Sequence, residues 1–206
     1  MTKTVQGAKK RGWRKAEIIA AAAECFMERG YHATKVDDVA ARLGATKGRI
    51  YHHYASKTEL FFDVHREGMA RLFAAQEGIG AAGGPRDRLI AMLQAHARAM
   101  LEHHTFETVV AQGVQVHRFD QTTPEERLVM ADLIATRDEF ERLFKDALAA
   151  AIDTGEVAPR DVSIAVKMML GALQWTLVWY RPRAGETDAE RADLARRMVE
   201  AVITGL

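Results

Sequence analysis

Residues 34–57 read TKVDDVAARLGATKGRIYHHYASK, and this stretch decides the fold. Thr34 supplies a side-chain oxygen suited to an N-cap. Asp37 and Asp38 follow in the first turn, where the helix dipole favours negative charge. Val36, Val39, Ala40 and Leu43 then recur at helical spacing as one apolar stripe. Gly44 suits the left-handed position that stops a helix, and Thr46 caps the next one, Lys47-Gly48-Arg49-Ile50-Tyr51-His52. Two short helices joined by a glycine-bearing turn form a helix-turn-helix.

The second helix has one buried anchor, Ile50. Lys47, Arg49, Tyr51 and His52 are left to point outward, and no acidic residue lies between Asp38 and Glu59. Ser56-Lys57 caps a third helix and brings backbone N–H groups and a lysine to one point, which suits a phosphate oxygen. Cationic and aromatic side chains on a helix that fits the major groove point to duplex DNA. A solvated basic face on an ordinary helical protein is the other reading of the same residues.

The order Gly30-Tyr31-x-Ala33-Thr34, Val39-Ala40, Gly44, Lys47-Gly48, Tyr51-x-x-Tyr54 and Ser56-Lys57-x-x-Leu60 closely resembles the N-terminal domain of the TetR family of bacterial transcriptional regulators. The resemblance covers residues 14–65. It implies a homodimeric repressor released from its operator by a ligand. Carried over by position, it makes Thr34, Lys47, Arg49, Tyr51, His52 and Lys57 DNA contacts, with Thr46 and Gly48 beside them at the helix start. Tyr54 stands where the family has Phe or Tyr, and is read as packing.

Charge is unevenly placed. Residues 1–57 carry 12 Lys/Arg against 5 Asp/Glu, and the rest 17 against 23, within a net charge of only +1. A basic N-terminal part joined to an acidic remainder fits a nucleic-acid-binding domain coupled to something else. Residues 1–12 are expected to be a disordered basic arm, 13–58 the DNA-binding domain and 59–206 a ligand-binding and dimerisation domain. No stretch reads as a signal peptide, and the single cysteine, Cys25, suits a reducing cytoplasm. Cys25 itself is read as a small buried hydrophobe.

The fold expected is all-α, with nine helices. Helix 1 runs from about Trp13 to Arg29 and Gly30 ends it, and the fourth runs on from Ser56 to about Gln76, long enough to leave one domain and enter the next. Gly78-x-Gly80-x-x-Gly83 matches a dinucleotide fingerprint in letters only. A helix precedes it and no βαβ pattern follows, so it reads as a hinge. Pro85 opens the fifth helix and Phe106 the sixth. Thr123-Pro124-Glu125-Glu126 opens the seventh, Asp161 the eighth and Thr187 or Asp188 the ninth. The eighth is expected to run from Val162 to Tyr180 with Lys167 as its one charge. Its uncharged part is too short for a membrane span. Apolar residues surround it, so helices 8 and 9 are expected to meet a second copy of the chain.

Helices five to eight offer an effector pocket. Its candidates are His96, Met100, Phe106, Val110, Val114, Arg137, Phe140, Met169, Trp175, Trp179 and Arg181, with ordinary core as the competing role for each. Arg137 interrupts an apolar stripe, and Arg181 stands where dipole compensation alone explains it. An arginine here would meet a carboxylate or phosphate. The ending Trp179-Tyr180-Arg181-Pro182 is similar to that of a TetR branch whose members sense acyl-CoA thioesters, so the resemblance implies a small apolar or acyl-type effector. A metal- or cation-responsive regulator, or a helical interaction protein without DNA binding, are the alternatives. His96, His103 and His104, with Glu102 and Glu107, could suggest a metal, but none of these histidines stands four residues from another, so no metal is expected. No nucleophile elbow, P-loop or metalloprotease motif points to an enzyme or a cofactor.

Overall fold

The computed structural model describes residues 15–80, 83–119 and 123–204, with side chains in the second span up to residue 113. The expected basic arm and the start of helix 1 at Trp13 lie outside the described residues. The elements are α1 (Lys15–Ala33), α2 (Val36–Arg42), α3 (Lys47–Tyr51), α4 (Lys57–Gln76), α5 (Pro85–Glu102), α6 (His104–Phe119), α7 (Pro124–Asp153), α8 (Val162–Gln174), α9 (Thr176–Trp179) and α10 (Asp188–Ile203). The nine expected helices are present, and the eighth is divided. The Val178 N–H reaches back only three residues to the Trp175 carbonyl, at 3.0 Å. That tightening separates the single turn α9 from α8.

The helix starts follow the side chains. Ser56 accepts the Glu59 N–H at 3.0 Å, Asp161 accepts the Ile164 N–H at 2.9 Å, and Thr123 and Thr187 each form a reciprocal box with Glu126 and Glu190. Thr34 is a correction. Lys35, not Thr34, occupies the cap position of α2, and the Asp38 carboxylate takes the Lys35 N–H at 2.8 Å. The Thr34 hydroxyl turns inward, 2.7 Å from the Gly30 carbonyl and 3.0 Å from that of Cys25. Gly44 sits at φ 63°, the left-handed conformation that lets the chain turn from α2 into α3.

Two apolar cores meet along α4. The first gathers Ile18 and Phe26 of α1, Val39 of α2, Ile50 of α3 and Leu60, Phe61 and Val64 of α4, then adds Phe106 and Val109 of α6 and Leu133 of α7. Phe26 and Phe61 cross nearly at right angles with ring centres 5.2 Å apart. The second core takes Met69 and Leu72 from the same rod and packs them with Leu93, Phe140, Phe144, Val166 and Leu173. Movement of α4 is therefore felt in both. Gly68 lets α4 and α6 approach closely: a Cβ there would stand 2.5 Å from Val110 Cγ2.

The glycine string from Gly78 joins α4 to α5, with residues 81 and 82 outside the described set. The α5 N-terminus is served by the chain's own carboxylate, since Glu156 accepts the Arg86 N–H at 3.0 Å. From Val162 to Trp179 the mean hydropathy is 1.4 and only 22% of the segment is buried. Val166, Met169 and Leu173 of this segment enter the second core, so one face is core and the other is bare.

Candidate DNA interface and effector cavity

The first candidate site is the outer face of α3. Arg49 is half-buried, and its side chain has no hydrogen-bond or ion-pair partner among the described residues. Tyr51, His52 and His53 are exposed, and the two histidine rings meet edge to face at 5.5 Å. His53 was not singled out from the sequence, although it directly follows two residues that were. Lys47 is exposed but engaged: it pairs with Asp37 at 3.0 Å and lies 5.7 Å from the Tyr51 ring centre. Thr46 is exposed, and nothing stands within 4 Å of where a Gly48 Cβ would be, so another backbone or a phosphate can come close.

Two expected contacts are placed differently. Thr34 is 1% exposed and its hydroxyl is held by α1 carbonyls, so its side chain does not face the surface. Lys57 turns back onto the end of α1. Its ammonium donates to the Tyr31 carbonyl at 2.8 Å and sits 4.3 Å from the Tyr31 ring centre. A charged donor that satisfies helix-end carbonyls and lies over an aromatic ring braces α4 against α1. The division of labour is testable. Arg49→Ala should cost about 1–3 kcal/mol of operator affinity and relax base preference without changing the melting temperature. Lys57→Ala should lower fold stability by roughly 1–2 kcal/mol and leave the salt slope of binding nearly unchanged. Anisotropy titrations at several salt concentrations, beside thermal melts, separate the two effects.

The second candidate site is a cavity of about 370 Å³ between α4, α5, α6, α7 and α8. Met69, Leu72, Met100, Val110, Phe140 and Leu170 give it apolar walls, His96, Glu107 and Arg137 add polar groups, and Asp138, Gln174 and a Glu141–Lys167 ion pair also line it. Five expected residues are brought together here: His96, Met100, Val110, Arg137 and Phe140. The Arg137 guanidinium has no hydrogen-bond or ion-pair partner among the described residues, and burial holds it below the usual range although the Asp138 and Glu141 charges work against the fall. His96 packs against Phe140 and Phe144 at 5.5 and 5.8 Å, and burial pushes its imidazole down to about 4.

Other expected residues lie elsewhere. Phe106 belongs to the first core, with the Arg71 guanidinium 4.0 Å from its ring centre. Met169 is packed into the second core rather than against the cavity. Trp175 and Trp179 are on the bare outer face, 64% and 48% exposed. Arg181 donates to the carbonyls of Val178 and Tyr180 at 3.0 and 2.8 Å, which is the helix-end role. The Val114 side chain lies outside the described residues. Glu107 is the cavity residue that sequence reading weighed for metal and did not place in the effector pocket. It is 1% exposed, and burial raises its carboxyl to about 8 although the Arg71 charge works against the rise. A signal for it existed: Glu107 shares a helical face with Val110 and Val114, three and seven residues on.

Among the described residues, no three His, Cys, Asp or Glu side chains are grouped so as to hold a metal ion.

The profile of bacterial regulatory proteins of the tetR family matches residues 18–64, and that of the tetracyclin repressor-like C-terminal domain matches residues 82–206. An HTH-type transcriptional repressor of Mycobacterium tuberculosis, KstR2, is 30% identical over 82% of this chain and 82% of its own. The solved structure of that species' ketosteroid transcriptional regulator KstR2 superposes with a TM-score of 0.78 at 25% identity, covering 95% of this chain and 96% of that one. The TetR family regulator PfmR from Thermus thermophilus gives a TM-score of 0.77 at 30% identity, covering 94% and 97%.

Proposed function

The chain belongs to the tetR family of bacterial regulatory proteins, and from that premise we propose that it is a dimeric repressor released from DNA by a small anionic, acyl-type effector. Its fold and family make it a DNA-binding transcriptional regulator, so the reading as a helical protein without DNA binding falls away. The proposal divides the work between residues 13–58, which grip DNA in the cytoplasm, and residues 59–206, which bind effector and partner. Arg49, Tyr51 and His52 meet base edges, with Thr46, Lys47 and Gly48 beside them against the backbone. Two copies read a near-palindromic operator with half-sites about one helical turn, ~34 Å, or a multiple apart. They join through α8 with its continuation α9, whose apolar outer face meets a second subunit rather than a membrane, and through α10, whose exposed residues are mostly charged.

One observation carries the effector reading: the Arg137 guanidinium, without a hydrogen-bond or ion-pair partner among the described residues, stands on the wall of a cavity whose other side is apolar. A carboxylate, or the anionic end of an acyl-CoA, satisfies that charge while the hydrocarbon fills the walls. An effector cation would meet Asp138 but also Arg137, and Glu141 is already paired with Lys145 and Lys167, which disfavours the cation-responsive alternative. Met69 and Leu72 put α4 in the cavity wall, and the same rod carries Leu60 and Phe61 under the DNA-binding helices. Effector can release DNA only if it binds the non-DNA-binding arrangement better.

The test is operator titration with and without free carboxylic acids and acyl-CoA thioesters. An effective compound should weaken operator binding by roughly 5- to 150-fold, and Arg137→Ala should abolish that response. If only cations or metals shift affinity, the anionic-effector reading is wrong.

A further inference from the structure

Arg137 accounts for a charge at one end of an effector, yet the two fully buried polar groups of the cavity wall are left unused by this reading. His96 and Glu107 are both more than nine-tenths buried. His96 Nδ1 and Glu107 Oε1 have no hydrogen-bond partner among the described residues. Buried polar groups are ordinarily paired, and a pair of orphans on the wall of one cavity needs a physical reason.

The chemistry of the two groups is defined. Desolvation raises the Glu107 carboxyl to about 8, so at neutral pH it keeps its proton and one oxygen is a donor. His96 is held neutral by burial and offers one donor and one acceptor nitrogen. Neither group asks for a charge. Both suit a neutral oxygen.

Building on the cavity as effector site, we propose that Glu107 donates a hydrogen bond to a carbonyl or hydroxyl oxygen on the apolar part of the effector, which is therefore an oxygen-bearing carboxylic acid or its thioester rather than a plain hydrocarbon one. His96 flanks the same oxygen or a second one. Glu107 also links the cavity to α4. A Cβ at Gly68 would stand 3.6 Å from Glu107 Oε1, so the carboxyl lies directly against the rod. An effector oxygen that draws the carboxyl toward the cavity changes the α4–α6 contact at the glycine where the two helices come closest.

The experiment is calorimetric titration of the full chain with matched probes: cyclohexanecarboxylate against its ring-ketone analogue, octanoate against a mid-chain oxo-octanoate, the CoA thioesters of each, and neutral cyclohexanone. The oxygenated member of each acid pair should bind wild type about five- to a hundredfold more tightly, the range of leaving a buried donor unmatched. Glu107→Gln keeps a donor and should keep that preference, whereas Glu107→Leu should erase it and bind the plain acid as well or better. Equal binding of both members by wild type, or an undiminished preference in Glu107→Leu, overturns the proposal. The anion reading is scored separately. If Arg137→Ala binds the acids like wild type while cyclohexanone binding still depends on Glu107, Arg137 is not the anion contact and the oxygen contact stands. If no probe binds at all, both readings fall.

Discussion

Placing aspartate at both Met168 and Trp175 should convert the protein into monomers and lower operator affinity by about 10²–10⁴-fold. Ile164, Met168 and Trp175 recur on one face of α8 and its end, and Val178 and Trp179 continue it through α9. Met168 is 70% exposed and Trp175 is 64% exposed, while Val166, Met169 and Leu173 on the other face are buried. A contiguous apolar strip of this kind marks an interaction surface. Burying a side chain of this size contributes about 1.5–3 kcal/mol, and in a two-fold interface each residue counts twice. A carboxylate in such an interface would be buried without a partner, so two per subunit should suffice to separate the copies. The loss on DNA follows because each monomer then grips one half-site alone. Light scattering beside operator titration checks both parts. A double variant that remains dimeric at micromolar concentration would place the interface elsewhere.

The second large effect concerns Glu107 and pH. Its carboxyl titrates near 8 in the fold against 4.5 ordinarily, because burial disfavours the ion. Below pH ~4.5 the acid is protonated folded and unfolded, so it exerts no pH-dependent penalty there. Between about 4.5 and 8 the unfolded chain ionises and the folded one does not, so the fold loses stability as pH rises through this window. Each unit of displacement is worth about 1.4 kcal/mol. Glu107→Gln cannot ionise, so relative to wild type it should gain roughly 2–4 kcal/mol between pH 4 and pH 8, the burial of the amide weighing equally at both. Urea unfolding of both proteins at the two pH values measures this. A difference independent of pH would mean that Glu107 is ionised in the fold.

What the sequence disclosed, and what it withheld, follows from the kind of signal each feature leaves. Helix starts are local chemistry: Ser56, Thr123, Asp161 and Thr187 each bond the N–H three residues on, and spacing alone reveals that. Gly44 is local too, because only one backbone conformation makes that turn. Thr34 and Lys35 differ by one register position, and the choice between them was made by the α1 carbonyls, which no local pattern reports. The cavity was half legible. His96, Met100, Val110 and Phe140 lie on inward stripes, as do Phe106 and Met169, and periodicity cannot tell a cavity wall from a filled core. Trp175 and Trp179 sit on a helix that is apolar all round, so sequence could not assign them to the inner or outer face. Glu107 was hidden because a glutamate on a helix ordinarily faces water, and only its shared face with Val110 and Val114 argued otherwise.

The central claim is that two copies of this chain present their α3 helices to one two-fold-related site on DNA. The most direct measurement is a footprint of the full chain on the DNA upstream of its own coding sequence. The account predicts two protected half-sites related by a dyad, about one helical turn or a multiple apart, with protection lost in Arg49→Ala and in the Met168/Trp175 double variant. A single asymmetric protected site that survives in the monomeric double variant would contradict it.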